Sequence, residues 1–138
     1  MRTLIHACLI MLAILAATVS AYAHGDGAPQ PVDTTGLKPL GDDILPTNPY
    51  RGDEKAIEIG ARGYNSNCAR CHGLDAKSGG MSPDLRSLEP TDDNDGWFMT
   101  RVLMGAVVGE RVKMPPFQGL LSQEAIWAIR SYIDAQPD

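Results

Sequence analysis

Cys68-Ala69-Arg70-Cys71-His72 is the stretch on which the reading of this chain turns. Two thiols three positions apart, with an imidazole directly after the second, form the attachment pattern of a covalent c-type haem. Two thioethers bond the macrocycle to one short turn, and the tether holds His72 under the iron as proximal axial ligand. Other chemistry for these residues lacks support. A structural zinc site wants four Cys or His ligands, usually two spaced pairs, and Cys68 and Cys71 have no second pair. A thioredoxin-like redox pair belongs to a strand-to-helix turn in an α/β pattern, which the chain does not show. A Cys68–Cys71 disulfide would leave His72 unexplained.

The N-terminus sets the compartment. Arg2 supplies a positive start, Leu4 to Val19 is almost wholly apolar, and Ala21-Tyr22-Ala23 is a small-x-small cleavage site. Residues 1–23 therefore read as a cleaved signal peptide. The alternative is an uncleaved anchor, since the apolar run nearly spans a bilayer, but the soluble-looking His24-Gly25-Asp26-Gly27 follows at once. Export agrees with haem attachment outside the cytoplasmic membrane, and no stable membrane association is expected after cleavage. Removing 23 of 138 residues leaves 115, enough for one small domain. Only Cys68, Cys71, His24 and His72 then remain of the cysteines and histidines, and losing Arg2 moves the formal net charge from −5 to −6. An acidic chain argues against nucleic acid and anionic membranes as partners.

Residues 24–52 are rich in Pro and Gly, without periodicity, and read as an extended arm. Val32, Leu37, Leu40, Ile44 and Leu45 are its candidate contacts with a domain at 53–138. His24, as a new N-terminus, is either a copper chelator or an ordinary exposed residue. Asp53 to Asn65 reads as the first helix: Asp53 and Glu54 suit the positive end of its dipole, and Ile57, Gly60 and Tyr64 share a face. Gly60 costs about 1 kcal/mol against alanine inside a helix, and is either a tolerated loss or a point of close approach for a second helix. That second helix follows Ser122 as N-cap, with Glu124 in its first turn and Leu121 and Ile126 as a staple. Ile126, Ile129, Tyr132 and Ile133 form its apolar stripe through Asp134, and Trp127 reads as core. Tyr64 is expected to pack against Ile129 and Tyr132.

Gly60-x-x-x-Tyr64-x-x-x-Cys68-x-x-Cys71-His72 with a C-terminal aromatic helix resembles the class I monohaem cytochromes c, over about Asp53 to Ala135. The resemblance implies an all-α fold in which the first and last helices cross around one covalently bound haem c. It also implies that, in the Gly73–Pro90 loop, the Pro83 carbonyl accepts a hydrogen bond from the proximal imidazole and Leu85 packs on the haem. A plain turn is the alternative for Pro83. Thr91-Asp92-Asp93-Asn94-Asp95 is a cluster of helix-start residues before a short helix from Gly96 to Met104. Trp97, Phe98, Val102 and Leu103 would cover the haem, Trp97 either bonding a propionate or filling core.

The sixth ligand is reached by elimination. His24 lies far from the core in sequence, Met81 falls in the proximal loop, and Met99 and Met104 sit within the short helix. Met114 stands in Lys113-Met114-Pro115-Pro116-Phe117, a segment stiffened by two prolines, before the last helix where the family places its axial methionine. A thioether opposite imidazole closes the iron and raises its potential. The expectation is electron transfer rather than the competing haem enzyme or gas sensor, which would need an open distal site.

Asn48-Pro49-Tyr50-Arg51-Gly52, the haem motif with Gly73-Leu74, Met114-Pro115-Pro116-Phe117 and Leu121-Ser122-Gln123-Glu124-Ala125 together resemble one subgroup. These are the periplasmic c-550-type cytochromes associated with PQQ-dependent (quinoprotein) alcohol dehydrogenases. The likeness implies a periplasmic carrier that takes electrons from such a dehydrogenase and passes them to a terminal oxidase or another cytochrome. Arg111 and Lys113 either flank an exposed haem edge and steer docking or are ordinary solvated surface, and Asp92, Asp93 and Asp95 form an acidic group.

Overall fold

The computed structural model describes residues 29–137. The expected signal peptide and His24 lie outside the described residues. Four helices and one hairpin follow in order: α1 (Glu54–Asn67), α2 (Ala69–His72), α3 (Asp92–Met104), β1 (Ala106–Val108), β2 (Arg111–Met114) and α4 (Gln123–Asp134). Single 3-10 turns at Leu74–Ala76 and Leu85–Ser87 link α2 to α3. Among the described residues no helix is long and apolar enough to cross a membrane.

Local chemistry starts each long helix. The Asp53 carboxylate accepts from the Ala56 amide at 2.9 Å, and the Ser122 hydroxyl accepts from the Ala125 amide at 3.2 Å. Thr91 caps α3 by accepting from the Asn94 amide at 3.3 Å. Helix α3 thus begins at Asp92 rather than Gly96, because Thr91 is the cap and the acidic residues fill the first turn, where the helix dipole favours them.

The fold is mostly helical, and the all-α expectation is corrected by the antiparallel hairpin β1–β2, in which Val107 pairs with Val112 and Val108 with Arg111. β-Branched valines favour extended backbone, and Gly109 at the turn has φ +61°. Gly105, at φ +71°, ends α3, and a Cβ there would stand 2.4 Å from the Met114 carbonyl oxygen. Only glycine fits that position, so the hairpin closes directly onto the helix end.

Helices α1 and α4 meet backbone to backbone. A Cβ on Gly60 would lie 1.9 Å from the Ala128 carbonyl oxygen, and one on Gly63 would lie 3.1 Å from Ile129 Cγ1. The Tyr64 and Tyr132 rings pack beside this contact with centroids 5.3 Å apart. Helix α4 is enclosed further than its apolar stripe suggested: Gln123 and every residue from Ala125 to Ile133 are buried. Residues from the Pro-rich segment cover its polar side. Gln123 Nε2 donates to the Gly41 and Asp43 carbonyls at 2.7 and 2.9 Å, and the Leu40 amide donates to Glu124 at 3.0 Å. Asn48 Nδ2 donates to Ser131 Oγ at 2.9 Å. Val32, Leu37 and Leu40 pack on the core, whereas Ile44 is exposed.

Asp95 ties these parts together from a fully buried position. Its carboxylate accepts from the Asn48 amide at 2.8 Å, from Arg51 Nη2 at 2.7 Å and from the buried Arg130 Nε at 3.1 Å. Asp134 faces both guanidiniums at 3.2 Å. Burial pushes the Asp134 carboxyl above its ordinary value, with Arg130 and Arg51 pulling the other way. Arg130 Nη2 also donates to the Leu88 and Glu89 carbonyls at 3.1 and 2.8 Å, anchoring the loop before α3.

That loop is organised by Asp84. Its carboxylate accepts from Arg86 Nε and Nη2 at 3.0 and 2.9 Å, and from the Arg86 and Ser78 amides at 3.1 and 3.2 Å. The Arg86 guanidinium, helped by the two amides, holds the Asp84 carboxyl well below its ordinary value, at about 2.

Two expectations follow from this packing. Gly60→Ala should lower stability by about 2 kcal/mol, because a forced separation of packed backbones outweighs the helix propensity gained; a denaturant midpoint at or above wild type would show that the helices do not meet there. Asp84 ionises more readily folded than unfolded, so its contribution is present above about pH 4 and is lost as pH falls toward about 2. Asp84→Asn should be less stable at neutral pH and show a shallower loss of stability over that acid window, measured by thermal melts.

Candidate haem site

Helix α2 is one turn long and carries the whole attachment motif. The Cys71 and His72 amides donate to the Cys68 carbonyl at 3.0 and 2.9 Å, so both thiols and the imidazole issue from a single turn. Cys68, Cys71 and His72 are all half-buried. Gly73 ends the turn at φ +82°, where a Cβ would lie 1.9 Å from the Lys77 carbonyl oxygen. Burial, with Cys71 adding, pushes the Cys68 thiol up to about 12. A thiol at that value is not the ready thiolate that a disulfide-exchange site needs. Among the described residues no group of three or more His, Cys, Asp or Glu side chains is gathered as a metal cage.

His72 Nδ1 lies 2.9 Å from the Pro83 carbonyl oxygen. A carbonyl only accepts, so Nδ1 is the donor, and in that tautomer of the neutral ring Nε2 is the nitrogen with a lone pair for a metal. The contact orients the ring. Pro83 is held in place by Asp84 beside it and by Ser78, whose hydroxyl donates to the Ser82 carbonyl. Leu85, in the next 3-10 turn, is half-buried against the core.

Met114 closes β2 and is half-buried, packed against the core. The segment after it is pinned to α3: the Phe117 amide donates to the Val102 carbonyl at 3.0 Å and the Gln118 amide to the Leu103 carbonyl at 3.2 Å. Met81 and Met104 are mostly exposed, and Met99 is buried in α3. Phe98 and Val102 are buried, Leu103 packs beside them, and Trp97 differs: its ring is 49% exposed, with the Arg101 guanidinium 5.1 Å from its centroid. Trp97 is therefore no core filler.

The donor set fits a covalently held haem. Two thiols on one turn, an imidazole with Nδ1 engaged and Nε2 free, and a thioether on a stiff, pinned segment are the groups such a cofactor uses. Reading along the chain missed the Asp84–Arg86 pair beside Pro83, although the Asp-x-Arg spacing of an Asx turn was there to find. It also missed Asp95, for which a helix-start cluster gave no sign of burial.

Comparison with known proteins agrees with this chemistry. The family described as "Cytochrome C oxidase, cbb3-type, subunit III" matches residues 55–133. The chain is 53% identical over 131 residues to "Cytochrome c550" of Pseudomonas aeruginosa, covering 92% of this chain and 90% of that protein. It is also 36% identical over 83 residues to "Quinohemoprotein alcohol dehydrogenase ADH-IIG" of Pseudomonas putida, 59% of this chain but only 11% of that enzyme. A second such enzyme of Pseudomonas putida, "Quinohemoprotein alcohol dehydrogenase ADH IIB", is 32% identical over 85 residues, 62% of this chain and 12% of that enzyme. No solved structure is significantly similar to the chain. With the Cys68-Ala69-Arg70-Cys71-His72 turn in place, the chain belongs to the cytochrome c family and carries covalently attached haem c.

Proposed function

We propose that this protein is a periplasmic one-electron carrier, exported by residues 1–23, with His72 and Met114 as the two axial ligands of its haem iron. The observation that carries the reading is the 2.9 Å contact of His72 Nδ1 with the Pro83 carbonyl, which turns Nε2 toward a ligating role. Bound at Cys68 and Cys71, the haem supplies a one-electron iron couple. The chain's part is to hold it. His72 would offer an imidazole nitrogen to the iron and Met114 a thioether, and a thioether ligand favours the reduced state. Helices α1 and α4 would flank the cofactor, Leu85 would pack on it, and the half-exposed Trp97 would be available to donate its indole N–H to a propionate. In this division residues 24–52 form the arm and 53–138 the cytochrome domain. A haem enzyme or gas sensor would leave one axial face open.

The two quinohaemoprotein relatives support a choice of donor. Their names describe quinone- and haem-containing alcohol dehydrogenases, and the stretch shared with this chain is a small part of each. Such enzymes keep a domain of this kind in the same chain as the dehydrogenase. We read the present chain as the separate version, taking electrons from a PQQ-dependent alcohol dehydrogenase. An oxidase subunit in the description of the matching family supports a terminal oxidase, or another cytochrome, as acceptor. Arg111 and Lys113 are exposed on β2, next to Met114, and suit transient steering.

Met114→Ala should abolish the far-red sulfur-to-iron band and lower the reduction potential; persistence of both would mean that another group closes the iron. Mixed in stopped flow with a reduced PQQ-dependent alcohol dehydrogenase, the oxidised protein should be reduced quickly. Charge reversal at Arg111 and Lys113 should slow that step by about tenfold at low salt. A reduced form that readily binds carbon monoxide would overturn the closed-iron reading.

A further inference from the structure

We infer that the Tyr64 and Tyr132 hydroxyls are positioning groups for the proximal ligand, clamping the turn that follows His72 so that the imidazole is presented at one fixed angle. The inference rests on the electron-carrier reading for its function and on separate geometry for its structure. Tyr64 comes from α1 and Tyr132 from α4; their rings are 5.3 Å apart and tilted by 44°. Tyr64 Oη donates to the Gly73 carbonyl at 2.8 Å, and Tyr132 Oη donates to the Asp75 carboxylate at 3.2 Å. Both phenols are buried, and burial raises both above their ordinary values, so they remain donors at neutral pH.

What they hold is a strained turn. Gly73 stands at φ +82°, and the non-glycine residues Asp75 and Ala76 stand at φ +54° and +60°. A left-handed backbone brings Cβ too close to the following carbonyl, which asparagine and aspartate tolerate better than alanine. Ala76 is fully buried and offers no side-chain bond to compensate. Two consecutive residues persist in this conformation only when their surroundings impose it. The Lys77 amide closes the turn on the Leu74 carbonyl at 3.0 Å, and the two tyrosines anchor its beginning and middle. His72 is the residue immediately before this turn; its amide is held by the Cys68 carbonyl and its ring by the Pro83 carbonyl. The angle of the imidazole is therefore set from two sides. Helix–helix packing reaches the iron ligand through the phenol pair.

The test uses the haem-loaded protein and removes only the hydroxyls. In Tyr64→Phe/Tyr132→Phe the amides of residues 75–77 should exchange with solvent about tenfold faster. The reduction potential and the paramagnetically shifted proton resonances of His72 should move with them. Adding Ala76→Gly, which adopts the left-handed turn without strain, should restore both. Tyr50→Phe removes another buried hydroxyl, bonded to the Lys38 carbonyl, and should leave potential and His72 resonances unchanged. If the double variant does not assemble, Tyr132→Phe alone serves, with the same signs. Wild-type exchange, potential and His72 resonances in a variant with its haem attached would overturn the inference, as would an equal shift in Tyr50→Phe. A wild-type protein isolated without covalent haem would instead sink the carrier reading, and the exchange rates would still decide the clamp.

Discussion

The carbonyl oxygen of Ala128 lies where a side chain on residue 60 would otherwise stand. This close approach of α1 to α4 governs much of what surrounds it. It brings the Tyr64 and Tyr132 rings together, and it sets Gly63 against Ile129. Helix α1 runs into Cys68, whose amide still donates to the Tyr64 carbonyl at 2.8 Å, so the helix pair dictates where the haem turn begins. A chain this short buries little apolar surface by itself, and a large covalent cofactor compensates for that shortage.

Enclosing α4 on every side has an electrostatic consequence. Arg130 is fully buried on that helix and must be paired. Asp95 meets it from α3, and Arg51 and Asp134 complete a quartet in which each charge faces an opposite one. Buried ion pairs of this kind add little net stability over apolar packing, yet losing one partner strands the rest. Their use here is geometric. Through Asn48 and Arg51 they dock the Pro-rich segment onto the helices, and through the Leu88 and Glu89 carbonyls they hold the end of the proximal loop.

The proximal loop is a chain of hydrogen bonds rather than a piece of core. Arg86 grips Asp84, Asp84 grips the Ser78 amide, and Pro83 between them offers its carbonyl to His72. Pro83 itself is exposed. Polar contacts give directional control that apolar packing lacks, which suits holding the His72 ring in one orientation.

The sequence by itself determined the attachment chemistry, the caps and the close helix contact. Cys68, Cys71 and His72 lie within one turn, Asp53 and Ser122 cap the amides three residues on, and Gly60 in a helix interior has no local use. Each is a short-range constraint, so spacing alone exposes it. Tertiary structure decided what depends on distant partners. The valines at 107, 108 and 112 look like any apolar residues until they pair across Gly109. Asp95 reads as one more acidic helix-start residue until Arg51 and Arg130, far away in the chain, surround it. Burial and charge pairing are properties of assembled surfaces, and no window of sequence contains both sides of one.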